Sequence, residues 1–262
     1  MNIIKLLLLV MVSATLNADV SDKWRVSAGG MFVTNFETEM QLSPKNFPVG
    51  LRINTKDQLG MENETAVFRV GGYYRFNNKH NINISYFRVK SNGVKVLGEN
   101  IEWGDSLFPE GTQLVSYFDM SVFKINYGYS FYHNKDVELQ VTVGLHTTKI
   151  DAGLKSTLLA NETSDSSITV PLPVVGFYGE YTIVEKKVFV SYRADYFSLQ
   201  YDDMKGSFIS SELNLEYRFI NHLGIGLGFN SNKIYLSAID DNSNLEIRND
   251  LSGIQLYFTY IY

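Results

Sequence analysis

The residues of this chain best suited to acid–base chemistry are its four histidines and the acids that neighbouring segments could bring to them. His80, His133 and His222 each fall in a short polar connector, where histidine ordinarily serves as a polar turn residue. His146 is different: it sits in an alternating segment, and Asp119 and Asp151 lie on segments that could approach it. A histidine held by a carboxylate is an arrangement that activates water or a hydroxyl. The competing reading gives His146 a place in an interior hydrogen-bond network and no chemistry. Elsewhere the motifs are sparse. Asp240-Asp241-Asn242-Ser243-Asn244 has the composition of a calcium loop but not its ligand order or terminal glutamate, and reads as a solvated acidic loop. No Gly-x-Ser-x-Gly elbow, Walker loop or His-Glu-x-x-His spacing occurs. With no cysteine, disulfides, thiolate metal centres and cysteine nucleophiles are excluded. No catalytic residue, metal or cofactor is assigned.

The elements that would position such residues follow from composition and pattern. The 262 residues include 17 Tyr and 17 Phe, while only 19% are charged, below the roughly 25% of an average soluble domain. A net charge of −5 argues against nucleic acid as the main partner. Residues 1–18 read as a cleavable signal peptide: Lys5 precedes an apolar run over residues 6–12, and small residues follow at Ser13, Ala14 and Ala18. That run is shorter than the about 20 residues a membrane helix needs.

Four segments of the remainder resemble one another: Gly72-Tyr73-Tyr74-Arg75-Phe76, Gly128-Tyr129-Ser130-Phe131, Gly179-Glu180-Tyr181-Thr182-Ile183 and Leu215-Glu216-Tyr217-Arg218-Phe219. Each precedes a short connector and then a strictly alternating run, which predicts four β-hairpins. An opening strand over 24–36 and a closing strand over 251–262 bring the count to about ten. Longer polar stretches, roughly 37–64, 90–112, 151–171, 200–205 and 231–249, predict loops, and the five prolines fall inside them or at their edges.

Alternation alone does not say which face is inside. The apolar faces carry no charge, as contact with hydrocarbon requires, except at Arg88 and Asp119 near the long loops. Aromatic residues gather at the short-turn end of those faces: Tyr74, Phe76, Tyr129, Phe131, Tyr181, Tyr217, Phe219, Tyr260 and Tyr262. Rings at one level form the girdle that sits among lipid headgroups. The opposite face carries Arg69, Arg75, Glu138, His146, Glu180, Arg193, Asp195, Glu212, Glu216 and Arg218, a mixed-charge set expected to line a lumen and form cross-strand ionic ladders. Counting across the turns places Arg218 beside Gly224, Glu216 beside Gly226 and Phe87 beside Gly71.

These features resemble the bacterial outer-membrane β-barrel superfamily, down to the last strand, Gly253-Ile254-Gln255-Leu256-Tyr257-Phe258-Thr259-Tyr260-Ile261-Tyr262, which alternates and ends on an aromatic. The expected fold is all-β: one antiparallel up-and-down transmembrane barrel over residues 19–262. It has about ten strands (eight to twelve allowed), short periplasmic turns and long extracellular loops. The resemblance implies a monomer in a Gram-negative outer membrane, in contact with lipid and lipopolysaccharide. It also implies that the barrel-assembly machinery reads the C-terminal strand. The leading functional expectation is a narrow small-solute channel or a surface-exposed structural protein. One alternative is an outer-membrane protease or lipid hydrolase with a site at the outer rim near His146, where proteases of the omptin group carry acids and a His–Asp pair. The other is a soluble periplasmic barrel that binds lipid in an apolar interior.

Overall fold

Alternating side chains run for as many as 22 consecutive residues in this chain, and each such run forms one long strand. The structure is a computed structural model that describes residues 22–44, 52–54, 56–57, 59–61, 65–103, 106–156, 163–201, 204–239 and 243–262. The segment expected to be a signal peptide, residues 1–18, lies outside the described residues. In chain order the strands are β1 (Trp24–Pro44), β2 (Arg52–Asn54), β3 (Thr65–Asn77), β4 (His80–Val96), β5 (Ile101–Trp103), β6 (Ser106–Phe108), β7 (Gln113–His133), β8 (Val137–Ser156), β9 (Thr163–Val184), β10 (Val188–Tyr201), β11 (Met204–Ile220), β12 (Leu223–Ile239) and β13 (Ser243–Ile261).

Ten of them form the wall. β1, β3, β4 and β7 to β13 pair antiparallel in sequence order, and β13 returns to pair with β1 from Arg25↔Ile261 up to Pro44↔Ser243. The sheet is therefore closed, which removes the exposed edges that an open sheet would leave. β2 adds to the upper end of β1, and β5 and β6 form a small separate hairpin. The expected all-β, ten-stranded antiparallel barrel is the fold that forms.

At one end the connections are tight. Asn77 Oδ1 accepts hydrogen bonds from the backbone N–H groups of Lys79 (2.9 Å) and His80 (3.1 Å). Asn134 Oδ1 does the same for Asp136 and Val137. This side-chain mimicry of a turn explains the asparagines in the connectors. Arg218 does face Gly224, and Glu216 faces Gly226. Phe87, however, pairs with Arg69, and Gly71 meets Ser85: the turn pairs Asn77 with His80, which alone would set Phe87 opposite Val70, and a bulge between Arg75 and Asn77 moves it one residue further.

The strands also outrun the lengths expected of them. β1 continues to Pro44, β4 to Val96 and β8 to Ser156, so much of what reads as polar loop is strand. β7 shows why. In its lower part Lys124, Asn126 and Ser130 are buried inside while Phe123, Tyr127 and Tyr129 are exposed outside. Higher up the phase reverses, with Phe118, Met120 and Val122 buried inside and Asp119 and Ser121 turned outward. A strand that keeps its geometry but exchanges the polarity of its two faces resembles a loop to any reading that follows one apolar face. Pro171 and Pro173 are corrected in the same way: both lie within β9. Their missing N–H groups cost little there, because the β9–β10 ladder ends at Val175↔Tyr196 and, among the described residues, nothing pairs with that edge of β9 above it.

Candidate functional site

Below the reversal, the inward face builds a dense ionic network. Among the described residues six cations (Arg25, Arg69, Arg75, Lys124, Arg193 and Arg218) and six carboxylates (Asp22, Glu138, Glu180, Asp195, Glu212 and Glu216) face the interior. Arg75 Nη2 bonds Glu138 Oε2 at 2.6 Å, and Arg69 Nη2 bonds Glu212 Oε2 at 2.6 Å. Arg25 reaches Glu180 at 3.1 Å and Asp22 at 3.2 Å, while Arg218 holds Asp22 at 2.6 Å and Glu216 at 3.0 Å. Lys124 donates to Ser210 Oγ (2.9 Å) and Asn232 Oδ1 (2.8 Å). The Arg193 guanidinium lies over the Tyr178 ring, 4.8 Å from its centroid. Charges taken out of water need this degree of pairing, since an isolated buried ion is very costly. The side chains fill most of the lumen and leave a cavity of about 110 Å³.

Glycine gives these side chains room at close approaches. A Cβ on Gly226 would sit 2.1 Å from the Tyr257 ring, so this glycine accommodates Tyr257 more than Glu216.

All ten residues expected in the lumen have inward-facing side chains, and the structure adds Asp22, Arg25, Lys124, Tyr178 and Gln255 to them. Lys124 was legible from its alternation with Phe123 and Ile125, and Arg25 from its alternation with Val26. His146 is not at the rim. It is 0% exposed, with Nε2 3.4 Å from Asp195 Oδ2 and its ring edge-on to Phe208 at 5.0 Å. Asp119 and Asp151 are cross-strand neighbours on the outward face and do not meet it. They take other partners: Asp119 binds Arg88 Nε at 2.7 Å, and Asp151 binds Lys149 Nζ at 2.7 Å and Ser167 Oγ at 2.6 Å. The His146–Asp119–Asp151 centre suggested by the sequence is therefore not assembled. Among the described residues no group of three or more His, Asp or Glu could hold a metal ion. The Asp240–Asn244 string begins outside the described residues.

Above the network the interior is mainly apolar, with Thr38, Ser91, Ser116 and Asn249 as buried polar members. Met31, Val33, Phe36, Phe87, Val89, Phe118, Met120, Val122, Ile150, Leu154 and Leu251 form one buried cluster. Leu59, Met61, Leu97, Ile101 and Phe108 join it from the connections after β1 and β4, folded into the mouth. Ser116 Oγ fixes one of these connections by donating to the carbonyls of Leu59 and Gly93, each at 3.2 Å. Sequence reading missed this layer because Leu59, Met61, Leu97, Ile101, Phe108 and Leu154 fall where loops were expected, while the others lie in strands above the point where the two faces exchange polarity.

Outside, the lower barrel is uniformly apolar. Phe68, Val143, Val175, Leu213, Leu256 and Phe258 are between 45% and 67% exposed, so the closed apolar interior required of a soluble lipid carrier is not formed by these faces. On β8 the apolar outward run spans residues 137–145, close to the about 9–11 residues that cross a bilayer as a tilted strand. Arg88, Lys90, Lys149 and Asp151 lie above it, so Arg88 and Asp119 are not at mid-bilayer. At the turn end Tyr74, Phe76, Tyr129, Phe131, Tyr181, Tyr217 and Phe219 are exposed, and Tyr260 and Tyr262 half-buried. Trp24 completes that level, its ring 5.5 Å from Tyr260 and 5.3 Å from Tyr262.

No known protein-family profile matches the chain, and no curated protein matches it either. Among solved structures it is similar to the outer membrane protease OmpT from Escherichia coli, with a TM-score of 0.60 and 11% identity, covering 95% of this chain and 100% of that one. It is also similar to the outer membrane protein OprG from Pseudomonas aeruginosa, with a TM-score of 0.39 and 10% identity, covering 92% of this chain and 96% of that one. Identity this low speaks to architecture alone. The chain has the fold of the small outer-membrane β-barrels.

Proposed function

We propose that this barrel is closed to solutes and works at its extracellular face, as a surface structural protein rather than as a channel. The observation that carries this reading is the stacking of two seals. Each of the six lumenal carboxylates is bonded to a donor, and an apolar layer completed by folded-in connections lies directly above them. A narrow channel would need polar groups along its whole length to replace the hydration of a passing solute. Here the apolar cluster interrupts such a lining, and the buried polar side chains beside it, Thr38, Ser91, Ser116 and Asn249, are uncharged.

Export through cleavage after Ala18, residence as a monomer in a Gram-negative outer membrane, and contact with lipopolysaccharide and phospholipid along the apolar band belong to the same proposal. So does recognition of the C-terminal strand by the assembly machinery. The test is single-channel recording of folded protein in planar bilayers, for which traces no different from bare lipid are expected. Reproducible conductance steps would overturn the reading. Extraction supplies a second check, since the barrel should resist carbonate and require detergent for release.

A further inference from the structure

Two ladders of the barrel stop short of its rim, and the structure treats the two openings differently. The β3–β4 ladder ends at Arg69↔Phe87 although β4 continues to Val96. Residues 59–61 fill that opening, with Met61 bridging Gly93 and the Leu59 and Met61 side chains buried. The β9–β10 ladder ends at Val175↔Tyr196, yet β9 extends above it over residues 163–174 and β10 over residues 197–201. Among the described residues no segment pairs with these two facing edges. Pro171 and Pro173 lie in the divergent part of β9 and withhold the N–H groups that would let the ladder continue.

The seam is apolar inside the wall and, along β9, outside it as well. Inside it, Leu172, Val174, Phe208 and Ile234 form a buried cluster against which Phe197 packs. Leu199 lies on the inward side of β10, opposite Gly206, yet is 53% exposed. Outside it, Val175, Tyr196 and Ile209 are 58%, 51% and 51% exposed and belong to the upper edge of the lipid-facing band. The apolar surface therefore runs from the lipid-facing wall along Val175, Pro173 and Pro171 of β9 to the interior of the mouth, with Ser198 and Gln200 on the outward side of β10 across the seam. The path is blind, because Phe208 rests on the His146 ring and the ionic layer lies beneath.

We infer that this seam is a lateral binding site for an acyl chain of an outer-leaflet lipid, which enters between β9 and β10 and lies against Phe197, Leu199 and Phe208. Continuity with the lipid-facing band selects a chain already in the bilayer. The unpaired backbone edges sit at the top of that band, where water can satisfy them, so the opening does not incur the cost of bare peptide groups in hydrocarbon. The inference is independent of whether the lumen conducts.

The chain has no cysteine, so single-cysteine variants can be spin-labelled without background. Leu199→Cys is compared with Val143→Cys on the lipid-facing wall and Lys149→Cys above it, all in vesicles of phosphatidylcholine and phosphatidylglycerol, with folding checked by heat-modifiable gel mobility. Collision of the label with oxygen, which concentrates among acyl chains, is measured against collision with a water-soluble nickel chelate. The oxygen-to-nickel ratio at position 199 should match that at 143 and exceed that at 149 several-fold. A ratio equal to that at 149, or protection from both agents, would overturn the site. In the second arm, Pro171→Val and Pro173→Val are added to Leu199→Cys, restoring the N–H groups needed to zip the seam. A several-fold fall in oxygen collision supports lateral entry, and an unchanged ratio refutes it.

Discussion

Arg75 Nη2 donates to Glu138 Oε2 at 2.6 Å from one wall of the barrel to another, joining β3 to β8, two strands that share no ladder. Both side chains are almost fully buried, and Ser130 Oγ also donates to the same carboxylate. Arg75→Ala strands a buried negative charge and should cost about 3–5 kcal/mol, whereas Arg75→Ala with Glu138→Ala should cost less than the two single changes summed. Urea unfolding in lipid vesicles, followed by tryptophan fluorescence, provides the double-mutant cycle. Strict additivity would mean that the pair does not brace the lumen.

The band on the outer wall can be mapped by placing charge on it. Val143→Lys puts an ammonium in the lipid-facing run and should destabilise the barrel by about 2–4 kcal/mol. Asp119→Asn breaks an exposed pair with Arg88 above the run and should change stability by no more than about 1 kcal/mol. Equal effects in bilayer-based unfolding would contradict the assigned depth.

Phe36 and Phe118 meet edge to face in the apolar layer, with centroids 5.1 Å apart and planes at 66°. Phe118→Ala should cost about 3–5 kcal/mol through the cavity it leaves. Because the ionic layer beneath is untouched, the variant should stay silent in planar bilayers. Conductance in this variant would show that the apolar layer is the sole seal.

Barrel closure depends on a close approach at Gly253, where a Cβ would lie 2.5 Å from the Phe32 carbonyl oxygen, beside the bulge between Val33 and Asn35. A backbone neighbour cannot swing aside, so Gly253→Ala should slow formation of the heat-modifiable folded band and lower its thermal midpoint. Gly30→Ala, on the same ladder with nothing within 4 Å of the added carbon, should do neither.

The sequence made the hydrocarbon-crossing part of each strand readable. Leu213, Leu215 and Tyr217 alternate with Glu212, Asn214 and Glu216, and a single parity choice assigns both faces. The same rule concealed the upper half. In Phe87-Arg88-Val89-Lys90 the apolar residues change sides, so a strand that enters water with its core now inside reads as a loop. The His146 environment was also beyond reach, since Asp195 comes from β10, two strands away, while Asp119 and Asp151 differ from it only in parity. The Phe87–Arg69 pairing was misplaced by the register of the turn, Asn77↔His80, and by a bulge that no residue type announces, one residue each.

The exchange of polarity between the faces of β4, β7 and β8 occurs at nearly one height, and it fixes how deeply the protein can sit. Pushed a rung further down, the barrel would submerge Arg88 and Lys149; lifted a rung, it would strand Tyr86 and Phe123 in water. The wall thus carries its own waterline.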